Sequence, residues 1–447
     1  MNARMHGHVR NVICIISTLG ASALAMGNPA GIDANLARQY FREARAICDT
    51  DAGRLWGVGL YGPMLFVDPE SRAIVANQAD ADGLLREQDG VFVGRLPADK
   101  LIANAPTRWA GALWAMIVWP LPQDQRARGR LMAHELWHCV QHDLLGPVQR
   151  DLGMPNTSNS HLDTRDGRVF LQLEWRALDA ALQKGEPGRR TAVEDALVFR
   201  AYRRSLFPDS PAQERALELS EGLAEYTGVR LSTKSDREAM NDCTIALRQG
   251  TRRETFVRSF AYSSGPAYSL LLDRAAPDWR KGLTLADDLG DLLRGAMSIV
   301  LPTALKAEAD QRTKRYNGEL LMADEARRDT ARQQRLARYR ARFVDGPILV
   351  IPLTHPSVQF NPGNLQPLGD LGTVYPTMTL ADAWGILTVT NGALLNNTWS
   401  EVRVTAPKDT TTRPVKGDGW TLELQKDWML QPGKRTGSYV LARSTAG

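Results

Sequence analysis

The chain has 447 residues, 43% of them hydrophobic and 23% charged. That length and that ordinary globular composition exclude wholesale disorder, collagen-like repeats and a disulfide-stapled mini-domain. A formal charge of +5, from 55 bases against 50 acids, is too small a bias to argue for a nucleic-acid or anionic-membrane surface.

The first ten residues carry Arg4 and Arg10 and no acid. Asn11 to Met26 is almost free of charge, and Ala23-Leu24-Ala25 fits a small-x-small cleavage site. Residues 1–25 therefore read as a secretory signal peptide, which implies a periplasmic or secreted protein. The alternative is an uncleaved anchor, but the apolar run is short for a span of about 20 residues. Cleavage removes two arginines and lowers the charge from +5 to +3. No later segment is long and apolar enough to cross a bilayer, so no integral membrane segment is expected. Cys14 leaves with the leader. Cys48 and Cys243 are a possible disulfide, and Cys139 reads as a small buried hydrophobe.

Ile32 to Ala46 reads as a helix. Leu55–Val67, Arg72–Ala76 and Gly90–Gly94 read as extended segments between Gly, Pro and Asp turns, giving an α/β region over residues 32–105. Trp109 to Trp119 reads as a strand ended by Pro120 and Pro122. It is either a buried core strand or an edge strand that pairs with an extended ligand. Arg126 to His142 reads as a helix, with Leu131, Leu136, Val140 and Leu144 on one stripe and Gly146-Pro147 as its stop. Residues 146–168 read as a polar loop. Its His161 and Asp163 are either ordinary loop polars or groups that support metal ligands or hold calcium. Leu171–Gln183, Thr191–Phe207 and Pro211–Ser232 read as helices. Pro302 to Phe343 reads as a long charged helix whose arginines, interspersed with acids, mark a solvated face. From Gly346 onward Pro, Gly, Thr and Val dominate, with apolar runs at Ile348–Leu353, Trp384–Thr390, Glu401–Thr405 and Trp420–Leu424. These predict a C-terminal β domain over residues 346–447.

Within the Arg126–His142 helix, His134-Glu135-Leu136-Trp137-His138 reads HExxH. Residues four apart share a helical face, so both imidazoles can grip one metal ion, and Glu135 can reach a water on that ion. On the order of 0.01 accidental matches is expected in a chain of this composition, so chance is a poor account of the motif. The alternative is a core helix carrying two satisfied histidines. His142 would sit one turn too far along the axis. Catalytic zinc takes three protein ligands and leaves a position for water. A close third histidine at HxxGxxH spacing is absent, since Cys-Val-Gln-His-Asp-Leu-Leu-Gly follows His138. A glutamate from a later helix is therefore the better candidate.

HExxH followed by Glu221-Gly222-Leu223-Ala224-Glu225-Tyr226, and then by Tyr262-Ser263-Ser264-Gly265, resembles the gluzincins of the peptidase MA clan. The M1-type enzymes, with EGxAxY and YxxG in the same order, are the nearest pattern. The resemblance spans roughly residues 109–275. It implies zinc on His134, His138 and Glu221, with Glu225 orienting a histidine, Glu135 as general base and Tyr262 as oxyanion donor. Residues 139–220 form a far longer spacer than those enzymes have, so Glu174 stays open as a rival ligand. Their GxMEN segment is missing, and nothing argues for an exopeptidase over an endopeptidase. The whole-chain pattern resembles exported bacterial relatives of peptidase MA. The expectation is an α+β chain with a zincin-like metallopeptidase domain over residues 106–345, acting on peptide or protein substrates. A non-catalytic envelope binding protein on the same scaffold, or a zinc hydrolase of another bond, is the alternative.

Overall fold

Strand Ala112–Val118 and the helix Gln125–Leu145 that follows it frame the metal-motif region of the computed structural model. The structure describes residues 12–14, 31–97, 100, 102–146, 159–361 and 364–444. The chain is α+β and divides into two compact units. The larger takes the described residues of 31–146 and 161–329. The smaller takes those of 330–444, with 12–14 and 159–160. Of the expected leader, only Val12–Cys14 falls within the described residues, as a strand parallel to Ser357–Phe360. Among the described residues no helix is long and apolar enough to cross a membrane.

In the larger unit six strands make one mixed sheet, in the order Arg86–Gln88, Val91–Arg95, Ala73–Ala76, Met64–Val67, Ala112–Val118, Ala105–Trp109. Strands from both sides of residue 105 share this sheet, so residues 32–105 and the metal-motif region form one unit rather than two. Trp109–Trp119, expected as one strand, contains a hairpin turn. Ala110 and Gly111 have φ of 48° and 76°, the double left-handed conformation of a tight two-residue turn. An alanine at the first position hid that turn from the sequence. Of the two placements open for Trp109–Trp119, the inner one holds for Ala112–Val118 and the edge one does not. Ala112–Val118 pairs in parallel with Met64–Val67 and antiparallel with Ala105–Trp109, which takes the edge. Leu55–Val67 is extended only at Met64–Val67. The Gly- and Pro-rich residues before it are irregular and bury Trp56, whose ring stacks on Trp137 at 4.1 Å.

Helix Gln125–Leu145 starts at Asp124, whose carboxylate accepts the Ala127 N–H. Leu131, Met132, Leu136 and Trp137 are buried along it. Even Arg128 is 4% exposed, clamped by Glu43 and stacked over the Tyr40 ring at 4.0 Å. Residues 147–158 of the expected loop lie outside the described residues. Its end is not a solvated loop: His161 and Asp163 are buried, and the next helix begins at Arg165 behind the Thr164 cap. Helices Arg165–Gln183 and Gly188–Leu206 lead out and back, and Ser210–Leu217 follows. The segment expected as one helix from Pro211 to Ser232 is helical throughout, but not regular. Residues Glu218–Gly222 form a π turn before the α-helix Leu223–Ser232. Three helices absent from the sequence reading follow, at Asp236–Gly250, Ala261–Ala275 and Leu289–Ala296. The long charged run splits into Leu305–Thr313 and Gly318–Arg340 at Asn317, whose φ is 53°. Its Arg327 and Arg328 pair with Asp324 and Glu325 one turn back.

Cys48 and Cys243 are not bonded to each other, which corrects the expected disulfide. Both thiols are buried, and burial pushes each up to about 12, the range of an inert structural cysteine.

The smaller unit carries sheets of six and seven strands. Gly385–Val389 alternates buried and exposed residues along its length, the signature of a strand with one core face. Trp384, Trp399 and Trp420 fill the core with Leu349, Val402 and Leu422.

Candidate metal centre

His134 and His138 lie one helical turn apart, and both rings turn their Nε2 atoms inward, 3.1 Å from each other. Glu221 brings its Oε2 to 3.6 Å from His134 Nε2 and 3.5 Å from His138 Nε2. Among the described residues these three side chains form the one group of ligand atoms gathered closely enough to share an ion. A tetrahedral zinc with bonds of about 2.0–2.1 Å holds its ligands about 3.3 Å apart, so the three observed edges fit one face of that tetrahedron.

The outer nitrogens decide what the inner ones can do. His134 Nδ1 donates to Glu225 Oε2 at 3.0 Å, and His138 Nδ1 donates to the Gln141 amide oxygen at 3.0 Å. Each neutral imidazole then has only a lone pair at Nε2. Two such lone pairs and a carboxylate oxygen repel one another unless a proton or a cation sits among them. The electrostatics agree. Burial works against a charged His134, yet Glu221 and Glu225 raise its imidazole to about 10. Burial would lift Glu221, but its bonds with the two histidines hold it well below the usual carboxylate range. Burial would lift Glu225 too, and the Arg130 guanidinium holds it at about 2. A divalent cation satisfies the same field that otherwise retains a proton. Glu225 behind His134 is the carboxylate–histidine arrangement that fixes a ligand's tautomer.

Glu135 is 1% exposed, and neither of its oxygens has a hydrogen-bond partner among the described residues. Burial raises its carboxyl above the usual range. An unpaired buried carboxylate is costly and asks for a functional reason. Tyr262 comes to the same place. Its hydroxyl donates to Glu221 Oε2 at 2.7 Å, and its ring lies parallel to that of His134 at 5.9 Å.

Glu174 is elsewhere. It is fully buried, with Oε1 accepting from Arg200 at 3.2 Å and from Tyr268 at 2.8 Å, and Oε2 from Arg203. Asp163 caps the Phe256 N–H at 2.8 Å, and His161 pairs with Glu214 at 2.8 Å. His142 is exposed beside Asp143. Two residues with roles here were missed by the sequence reading. Gln141 sits one turn beyond His138, and Arg130 one turn before His134. Their helical spacing from the two histidines was the available signal.

Close backbone contacts bring these pieces together. A Cβ on Gly228 would stand 2.7 Å from the Arg130 carbonyl oxygen, so the Leu223–Ser232 helix rides directly on the HExxH helix. A Cβ on Gly222 would stand 2.9 Å from Gly265 Cα and 3.1 Å from the Ala261 carbonyl oxygen. The glycines of the two downstream motifs therefore touch, and that contact delivers Tyr262 to Glu221. Gly265→Ala is expected to push these backbones apart and to lower stability by about 1–3 kcal/mol. Thermal unfolding would read the loss. An unchanged midpoint would mean that the helices separate freely. No family model, curated protein or solved structure matches this chain.

Proposed function

We propose that the chain is an exported zinc-dependent metallopeptidase with a zincin-like domain. The observation that carries this reading is the convergence of His134, His138 and Glu221 beside Glu135, a buried carboxylate without a hydrogen-bond partner. His134, His138 and Glu221 would hold the ion. Zinc, when bound, supplies a Lewis acid and brings the pKa of a coordinated water towards neutrality.

The chain's own groups do the rest. Glu135 takes the proton of the attacking water and returns it to the leaving nitrogen. Tyr262, whose hydroxyl lies on the Glu221 carboxylate, would donate to the developing oxyanion. Edge strand Ala105–Trp109 pairs on one side only, with Ala112–Met116. Its other side pairs with no strand among the described residues and, Pro106 aside, would leave backbone groups open to an extended peptide, since peptides bind sheet edges in this way.

The test is metal content and turnover on the mature protein. The expected result is one zinc per chain and cleavage of unfolded polypeptide that a chelator stops and zinc restores. Zinc without turnover on any peptide library would favour a binding protein. A folded chain that takes no zinc would end the metal reading.

A further inference from the structure

The turn that carries Glu221 is the least regular part of the candidate site. The Leu223 N–H donates to the Glu218 carbonyl, five residues back, and so closes a π turn. In a regular helix at 100° per residue, residues 218, 221 and 225 would fall within an arc of roughly 60°. Here they part company. Glu221 and Glu225 face His134, whereas Glu218 faces away onto Arg200, with Arg200 Nη1 donating to Glu218 Oε1 at 3.0 Å. One extra residue in the turn makes that divergence possible. A π turn is a rare conformation, and it persists where its surroundings hold it.

Resting on the metal-site reading above, we propose that Arg200 is a positioning residue for the candidate site. It grips Glu218 and so holds the wide turn that presents Glu221. Arg200 is suited to this because it is itself fixed. It is 3% exposed, donates to Glu174 at 3.2 Å and to Asp288 at 3.1 Å, and lies over the Tyr268 ring at 5.0 Å. Glu218 is fully buried, and Arg200 is the partner of both its oxygens. On the opposite side the turn is seated by Gly222 against Gly265. The turn is thus pinned between a guanidinium and a backbone contact, with Glu221 between the two.

The experiment compares zinc dissociation constants, from competition with a chromophoric chelator, and visible absorption of the cobalt-substituted proteins. The variants are Glu218→Gln, the charge-free pair Arg200→Met with Glu218→Met, and Arg203→Met as control. Arg203 belongs to the same buried cluster but bonds Glu174 and Glu214, not the turn. The expected result is a folded double variant whose zinc constant rises about 10–100-fold, the usual effect of losing an outer support, with shifted cobalt bands. Glu218→Gln keeps an acceptor and weakens zinc less. Arg203→Met lowers the thermal midpoint and leaves zinc affinity alone. Folded variants with the wild-type constant and cobalt spectrum would overturn the proposal while leaving the metal reading intact. If the double variant does not fold, Glu218→Gln decides by the same two readouts. A wild type that takes no zinc overturns both.

Discussion

Glu135→Gln is expected to keep one zinc per chain and to lower kcat/KM on a peptide substrate by roughly 10²–10⁴, the usual contribution of a positioned acid–base group. The substitution is nearly isosteric, and because neither Glu135 oxygen bonds the protein among the described residues, it breaks no hydrogen bond there. The ligand atoms belong to other side chains, so zinc should stay. An amide cannot take up the proton, so the transfer stops. A second consequence concerns the metal-free protein. Burial raises the Glu135 carboxyl above its ordinary 4.5, so the folded chain holds this proton more tightly than the unfolded chain does. Ionising it as pH rises past 4.5 costs folding free energy that the amide does not cost. Metal-free Glu135→Gln should therefore melt no lower than metal-free wild type at neutral pH. Full activity in this variant would remove Glu135 from the mechanism. A fall in zinc content would make the residue structural instead.

Local patterns carried much of this reading and distant contacts carried the rest. The helix at Gln125–Leu145 was legible because its apolar stripe, its Gly146 stop and its paired histidines all follow one periodicity. The strands of the C-terminal unit were legible as short apolar runs, and Glu401–Thr405 and Trp420–Leu424 lie where those runs put them. Three features were not legible. The Ala110-Gly111 turn carries one alanine where a glycine would have signalled it. The π turn at Glu218–Gly222 leaves no periodic trace, since one added residue looks like noise in a 3.6-residue repeat. Residues His161 and Asp163 look polar and loop-like, yet they are buried because Glu214 and the Phe256 N–H meet them from 53 and 93 residues away. The choice between Glu174 and Glu221 had the same character. Both lie on helices with apolar neighbours, and only tertiary contacts separate them.

That choice can be settled by two alanine variants that should fail in opposite ways. Glu221→Ala removes an oxygen that faces both imidazoles and accepts from Tyr262. Glu221 is partly exposed, at 13% of its side chain, and no buried cation depends on it, so the fold should survive. Zinc affinity should fall by more than the roughly 10–100-fold that loss of an outer support brings. Glu174→Ala acts on a different balance. Its carboxylate is the shared acceptor of Arg200, Arg203 and Tyr268, all buried. Removing one partner of a buried ion pair leaves charge uncompensated and costs about 3–5 kcal/mol. Arg200 still keeps Asp288 and Glu218, so the turn bearing Glu221 keeps its support. Glu174→Ala should therefore lower the thermal midpoint sharply while each folded chain still takes one zinc. Metal per folded chain, measured beside thermal unfolding for both variants, separates the two roles. Zinc lost from a folded Glu174→Ala, and kept in Glu221→Ala, would reverse the assignment and detach Tyr262 from the site as well. The opposite pattern would mean that one glutamate answers to the metal and the other to the arginines. A single motif reading could propose that division of labour, but only the packing of the helices creates it.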